Sequence, residues 1–562
     1  MTDTAGATDY DVLVVGFGPT GAVATGLLGR LGHRTLVIDR LTDVYDKPRA
    51  IALDHEIFRH IDNMGLADAI SPYIEPFTAS EHFGVDGQLI RRIDMVAKPY
   101  PLGYTPSMVF SQPPVEAELR RHATSFSNVR AELGVELLDL VQTADRVEAR
   151  LKDSDGRHRS VTARYVLGCD GASSTVRQIA GLGLEDLIFD EPWLVVDVRA
   201  NESALARLPQ CSAQFCNPAR PVSFLIGPHN HRRWEIMLLP GEDARQMERP
   251  DNVWKLLSPW LTPQDGELWR AASYRFHALV AADWRNGRIL IAGDAAHQQP
   301  PFIGQGMCQG LRDATNLVWM LDRILAGVSS DSLLDSYTVE RKQHVIELTG
   351  KIKAIGQSIC ERDPAAARQR DAQILADGGG KPLLLTRQEI IPPLRAGCLS
   401  QHEAPARGSL FPQPRIASSG TARLLDEVTG PGWRAVIDGR SDDAASMLAL
   451  CAARADISAA AVAPSGTSRL NALEETEGVL ETWFDRHGVI AAIVRPDHYV
   501  FGTVRNATEL GDLLREIDMR LGDLRPGRTE FPISKWREHR ETGHCIDRRP
   551  HHLGHRRRRD FF

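Results

Sequence analysis

Apolar residues run unbroken from Val12 to Val15 and stop at Gly16; from Thr20 to Leu31 they recur at helical spacing, and a second apolar strand follows from Arg34 to Ile38. Strand, helix and strand in that order read as a βαβ unit, which requires a parallel sheet. Two more strand-like runs, Tyr165 to Gly168 and Arg288 to Ala292, come far downstream, and the second precedes a helical pattern from about Gly306 to Leu325. Between them Trp193 to Val198, Val222 to Ile226 and Trp234 to Leu239 alternate apolar and polar positions. That is the pattern of antiparallel strands with one face covered. The expected fold is α/β: a Rossmann-like nucleotide domain interrupted by an insertion that carries an antiparallel sheet.

The pattern changes after Cys360. Asp363 to Ser400 mixes charges with Gly378-Gly379-Gly380 and Pro392-Pro393 and reads as a linker or extended arm. A separate α/β unit begins near Gln401, with strands near Trp433 to Ile437, Val489 to Val494 and Tyr499 to Thr503, an Arg495-Pro496-Asp497 turn, and a helix from Thr508 to Arg520. The expected division is a nucleotide domain over 1–75, 110–190 and 275–360, an insertion over 76–109 and 191–274, and a linker over 361–400. A C-terminal domain over 401–535 and a basic tail over 536–562 complete it.

Composition narrows the class. With 562 residues, three to four domains are expected at about 150 residues each. Hydrophobic residues at 43% and charged residues at 25% are ordinary for a globular protein and exclude a disordered or fibrous one. The net charge of −7 offers no footprint for nucleic acid or an anionic membrane; only the segment from Arg537, with eight arginines against four acids, is basic, and it reads as a solvated tail. The longest apolar-looking stretch, Ala444 to Ala463, is broken by Arg454 and Asp456, and Met1 to Asp11 has no basic n-region. A soluble, cytoplasmic chain is expected, with no membrane and no nucleic-acid partner. Its eight cysteines form no CxxC, and Cys211 and Cys216 with His229 and His231 lack the second cysteine pair of a zinc pattern, so no metal is expected.

Gly16-Phe17-Gly18-Pro19-Thr20-Gly21 is GxGxxG between a strand and a helix. Gly16 permits the turn, Gly18 lets backbone approach a pyrophosphate, and Gly21 lets helix pack on strand, with the phosphates on the helix N-terminus. Asp39, followed by Arg40, ends the next strand at the distance expected of a ribose hydroxyl acceptor. A dinucleotide binds here, and this motif alone leaves NAD and FAD open. Two further motifs follow: Cys169-Asp170-Gly171 running on to Arg177, and Gly293-Asp294-Ala295-Ala296-His297 followed by Pro300-Pro301 and Gly304-Gln305-Gly306-Met307.

In that order, GxGxxG, DG and GD, the chain from about Tyr10 to Arg341 resembles the single-component FAD-dependent aromatic hydroxylases. The segments Lys47 to Asp54, Trp193 to Val198 and Arg232-Arg233-Trp234-Glu235 are most similar to the 3-(3-hydroxyphenyl)propionate hydroxylase branch, and Gln401 to Leu521 resembles the thioredoxin-like C-terminal domain of phenol hydroxylases. The resemblance implies noncovalent FAD, with NADH or NADPH as co-substrate visiting the FAD domain. It implies hydroxylation of a phenolic acid ortho to its hydroxyl by O2, through a flavin C4a-hydroperoxide. A polyketide-tailoring hydroxylase, with the same three motifs, is the alternative; a flavin halogenase needs a WxW pair that this chain lacks.

Carried over by resemblance, Asp294 meets the ribityl chain, Pro301 lies beside the isoalloxazine, and Gly304, Gly306 and Met307 face its pyrimidine end. Asp170, with Arg177 as its ion-pair partner, belongs to the dual FAD and NAD(P)H motif, while Arg49 and Gln112 touch FAD. A base would help the phenol, and Asp54 and His55 are the candidates next to the flavin-contacting segment. Arg233 is expected near flavin and substrate, and Arg220 and Arg232 are weaker candidates for holding a carboxylate. The C-terminal domain has only Cys451 before the tail, so it is expected to be structural or an oligomerisation element, compatible with a homodimer, rather than a dithiol exchanger.

Overall fold

The computed structural model describes residues 8–418, 422–467 and 472–522, in two compact units. Of the described residues, the first comprises 8–96, 106–326 and 334–397, and the second 97–105, 327–333 and those from 398 to 522. The basic tail expected over 536–562 lies outside the described residues.

Tyr10–Val15 is the middle of an eight-stranded sheet, parallel to Thr35–Asp39 on one side and to His158–Gly168 on the other. Val129–Leu133 extends it beyond Thr35–Asp39, and Ile289–Ile291 runs parallel to the end of His158–Gly168. Val12, Leu13, Val14, Leu36 and Val37 are all fully buried. A parallel sheet covered by helices on both faces needs that continuous apolar run. The helix Pro19–Arg30 begins with proline at its first turn, where a missing N–H costs nothing. It packs against the helix Gly306–Leu325, and a Cβ on Gly310 would come within 2.4 Å of Thr20 Oγ1. Because the four strands run the same way, the loops at Gly16, Asp39, Asp170 and Asp294 all leave one edge of the sheet.

The insertion forms most of a nine-stranded sheet in which Leu184–Ala200 is flanked antiparallel by Gly266–Ala281 and His231–Met237. Its alternation resolves into two faces. Leu194, Val196, Trp234 and Ile236 point one way, into a core closed by Val253 and Leu257 of the helix Pro250–Leu257. Trp193, Val195 and Met237 point the other way and join Phe276, Phe302 and Ile303. Trp193 and Phe276 stack at 5.5 Å, and Phe302 meets both rings edge-on.

Two expected boundaries are corrected. Residues 361–400 are not a linker: Asp363 caps the helix Pro364–Asp377 by accepting from Ala365 and Ala366 N–H, and the glycine run ends that helix. The chain then adds Leu383–Thr386 as a parallel edge strand beside Leu89–Asp94. The segment 76–109 is also divided, for Ser80–Phe83 and Leu89–Asp94 join the nine-stranded sheet while residues 97–105 belong to the second unit.

In the second unit Arg434–Asp438 and Ser458–Pro464 are parallel, joined by the helix Ala444–Ala452. The helix Val479–His487, the antiparallel pair Ala491–Val494 and Val500–Val504, and the helix Ala507–Leu521 complete a thioredoxin-like βαβ–α–ββα order. Val436, Val462, Phe484, Ala492 and Val500 form its core, and Cys451 is a free, buried thiol.

Candidate active site

The site begins at the shared sheet edge. Gly16 has φ +97°, and a Cβ there would lie 2.4 Å from Cys169 O; one on Gly21 would lie 2.0 Å from Gly16 O. Those approaches press the first loop against both the DG loop and its own helix. Above Gly18 a Cβ would meet nothing within 4 Å, and no side chain caps the helix behind it. The open space and uncapped N–H groups suit a phosphate. Asp39 accepts from Phe17 N at 2.7 Å and Leu41 N at 2.8 Å, which pins its carboxylate beside the loop with lone pairs to spare. Arg40 beside it is exposed.

Asp294 follows the strand Ile289–Ile291 and has an open side, and among the described residues its carboxylate has no hydrogen-bond or ion-pair partner. Surrounding protein displaces enough water to hold the carboxyl above its ordinary value, although the charges of His297 and Arg49 pull it down. The loop around it is fixed from below. Asp313 accepts from Gly293 N at 2.9 Å, from Arg341 Nε at 2.9 Å, and lies 2.7 Å from His297 Nε2. Further on, Pro301 is half-buried and its carbonyl accepts from Gly304 N at 2.7 Å. Gly306 and Met307 then open the helix Gly306–Leu325, again without a side-chain cap.

A family model described as FAD binding domain matches residues 9–351, and one described as HcaD C-terminal domain matches residues 408–520. The probable NADH-specific resorcinol 4-hydroxylase of Rhodococcus jostii (strain RHA1) is 39% identical over 537 residues, covering 94% of this chain and 98% of the relative. The chain belongs to the FAD-dependent aromatic hydroxylases. The 3-(3-hydroxy-phenyl)propionate/3-hydroxycinnamic acid hydroxylase of Burkholderia cenocepacia (strain HI2424) is 32% identical over 513 residues, covering 87% and 93%. Among solved structures, aklavinone-11 hydroxylase with FAD and aklavinone superposes with a TM-score of 0.75 over 92% of this chain and 99% of that one, at 24% identity, a likeness of fold.

The residues present fit the FAD of such a hydroxylase: an open glycine loop, an anchored acid at Asp39, a free acid at Asp294, and a second uncapped helix start at Gly306. Removing the Asp294 acceptor is expected to cost about 1.5–3 kcal/mol of FAD affinity, the worth of a charged hydrogen bond. Titration of Asp294→Ala apoprotein with FAD checks this, and an unchanged Kd would remove Asp294 from the cofactor site.

Several expected residues serve the site indirectly. Gln112 spends its amide on protein: Oε1 accepts from Arg49 N at 3.2 Å and Ala50 N at 2.6 Å, and Nε2 donates to Glu116. It therefore shapes the 49–50 backbone, leaving the Arg49 side chain exposed, 5.5 Å over the Tyr45 ring. Asp170 accepts from Ser174 Oγ at 2.5 Å and Val176 N at 3.1 Å. Its expected pairing with Arg177 is corrected, since that guanidinium donates to Ala295 O at 2.8 Å and Ala172 O at 3.0 Å and ties the DG loop to the GD loop.

The arginines of the inserted sheet are corrected too. In Arg233 every guanidinium nitrogen donates: Nε to Asp197 at 2.7 Å, Nη1 to Arg49 O at 2.8 Å, and Nη2 to Pro48 O at 3.1 Å. Asp197 also holds His231, and Arg270 bonds Pro48 O as well. Arg233 thus fastens the flavin-side segment to the sheet, with each of its three nitrogens already engaged by protein. Arg220 is paired with Glu242, and Arg232 donates to the carbonyls of His229 and His231.

The two base candidates are poorly placed. Asp54 caps the helix His55–Asn63 through Ile57 N and is bonded by Arg312, which also holds Glu56 and Gln305. Burial opposes its ionisation, but Arg312, the Ile57 N–H and the His55 charge together outweigh that and keep the carboxyl below its ordinary value, a weak base. His55 is buried, and desolvation lowers it to about 4.

Arg312 and Asp313 carried no sequence signal that separated them from ordinary charged positions, and Glu235, although within the Arg232-Arg233-Trp234-Glu235 segment that carries the resemblance, has no role among the sequence-based expectations. Glu235 is the informative omission. It lies on the face of the nine-stranded sheet that carries Arg233 and Met237, 4% exposed, and burial pushes its carboxyl up to about 7.

Proposed function

We propose that this hydroxylase acts on a small neutral phenol of the resorcinol class, inserting one oxygen of O2 ortho to a hydroxyl at the expense of NADH. The observation that carries the choice is the engagement of Arg220, Arg232 and Arg233. Of the three guanidiniums expected to anchor a substrate carboxylate, Arg220 is bonded to Glu242 and Arg233 to Asp197, while Arg232 gives Nη1 to backbone carbonyls and keeps Nε without a partner. The 39% identity to a relative named for resorcinol and NADH supports the same reading.

When bound, FAD supplies hydride acceptance and the activation of O2. The chain's own residues orient it and exclude water. Asp39 and Asp294 would take up hydroxyls of the cofactor, the helix starts at Gly18 and Gly306 would offer N–H groups to its negative groups, and the Trp193–Phe276–Phe302 cluster backs the loop that leads to Gly304. One feature favours a phenolic acid instead: Arg91, buried on the insertion sheet, has no partner for Nε or Nη1.

The two substrates separate in stopped-flow reduction and oxygen-uptake measurements. Resorcinol is expected to accelerate flavin reduction by NADH by orders of magnitude and to be converted to a trihydroxybenzene with matched NADH and O2 use. A larger effect of 3-(3-hydroxyphenyl)propionate would transfer the assignment to the phenolic acid, and preference for a neutral polycycle would transfer it to the polyketide hydroxylases.

A further inference from the structure

Glu235 sits at the middle of the face described above, and its surroundings leave it alone. Its cross-strand neighbours are Val195 and Ser223. Ser223 has a hydroxyl that could serve it, but donates to Gln214 Oε1 at 2.5 Å. Arg233, two residues back on the same strand, gives its donors to Asp197 and the 48–49 carbonyls. Among the described residues the Glu235 carboxylate has no hydrogen-bond or ion-pair partner, although the residue is 4% exposed. A buried polar group left unpaired costs free energy. Ser223 and Arg233 are committed elsewhere, and Arg270 keeps Nε and Nη2 without a partner but does not bond the carboxylate. The Glu235 oxygens are not fully enclosed, so the carboxylate is open to a partner from outside the chain.

The neighbours along the strand say where that partner lies. On one side Arg233 holds Pro48 and Arg49, the segment beside the cofactor loop. On the other, Met237 and Trp193 pack with Phe302 and Ile303 of the loop leading to Gly304. Glu235 therefore stands between the two segments that flank the flavin ring, on the sheet facing it.

We propose that Glu235 is the catalytic group that accepts the proton of the substrate's hydroxyl, an inference that rests on the phenol reading above. The phenolic O–H bond breaks and an O–H bond forms on the carboxylate. The electron pair stays on the phenolic oxygen and enriches the ortho carbon, where a carbon–oxygen bond forms as the O–O bond breaks; NADH supplies the two electrons and the second oxygen atom of O2 leaves as water. The resulting dienone loses its ring proton to water, and Glu235 returns its proton to the ketone oxygen as the ring regains aromaticity.

The charged groups facing Glu235 are Arg233 on its own strand, Asp197 on the next, and Arg270 beyond that. Desolvation raises its pKa first, Asp197 adds to it, and the two arginines oppose it, giving about 7. As the base must be ionised, kcat/KM should rise with pH through about 7. The same displacement makes the ionised side chain unfavourable to the fold, because the carboxyl ionises at lower pH in the unfolded chain; stability is lost as pH rises from that ordinary value through 7.

The test compares wild type, Glu235→Gln and Glu235→Asp as FAD-loaded enzymes, with rates expressed per bound flavin. In Glu235→Gln, product formation should fall by roughly 10²- to 10⁴-fold. The limb near pH 7 should vanish, FAD content should hold, and Tm at pH 8 should equal or exceed that of wild type. Glu235→Asp should recover part of the rate. Wild-type product rates in Glu235→Gln overturn the proposal, as does a wild-type kcat/KM with no ionisation near 7, a measurement that needs no variant. Both resorcinol and 3-(3-hydroxyphenyl)propionate are assayed: failure to turn over resorcinol overturns the substrate reading alone, since the Glu235 effect is read on whichever phenol is hydroxylated.

Discussion

Arg312→Met is expected to destabilise the first unit by about 3–5 kcal/mol, the usual result of removing one partner from a buried ion cluster. Arg312 is 2% exposed on the helix Gly306–Leu325 and donates to Glu56 at 2.6 Å, Gln305 at 2.9 Å and Asp54. Methionine fills most of the volume but removes the guanidinium that both buried carboxylates, Asp54 and Glu56, bond. It also releases Gln305, the residue before the first turn of that helix. Urea unfolding followed by tryptophan fluorescence reads the loss as a lower midpoint.

The pH dependence identifies the cause. In wild type the lowered Asp54 pKa contributes stability that is present above its ordinary value and lost as pH falls through the depressed one. Without Arg312 burial is opposed for Asp54 only by the Ile57 N–H and the His55 charge, so its carboxyl protonates more readily and the gap to wild type should narrow from pH 8 towards pH 5. A deficit constant across that range would mean that packing, not stranded charge, makes the difference.

What was legible in the sequence was whatever depends on local pattern. The apolar run into Gly16, the glycine spacing, and the helix after Gly304-Gln305-Gly306 are consequences of backbone geometry, and Gly306–Leu325 and Val222–Ile226 appear with the expected bounds. The glycines and prolines of 361–400 misled because the same residues that make a linker also cap and end a helix. Side-chain allegiance was not legible at all. Arg233 and Glu235 are two residues apart on one strand and share a face, yet one is saturated by Asp197 and two carbonyls and the other has no partner. Which arginine is spent depends on Asp197, 36 positions away on another strand, and on Arg49, 184 positions from Arg233.

Arg233→Met should act in the same size range as Arg312→Met, about 3–5 kcal/mol, but through the cofactor. Asp197 would keep His231 and a more distant Arg270 at 3.7 Å, losing its closest guanidinium. The Pro48 and Arg49 carbonyls would lose donors from Arg233, so the segment beside the cofactor would no longer be tied to the sheet at that point. Arg233→Lys should rescue only part of this, for an ammonium supplies the charge without the planar fork that reaches Asp197 and two carbonyls together. The distinction from a direct role is quantitative. If Arg233 only positions, Tm and FAD affinity fall together while kcat per bound flavin at saturating FAD stays within a few-fold of wild type. If it touched the flavin or the ring, kcat per bound flavin would collapse with stability nearly intact, and the structural assignment made from its three spent nitrogens would be wrong.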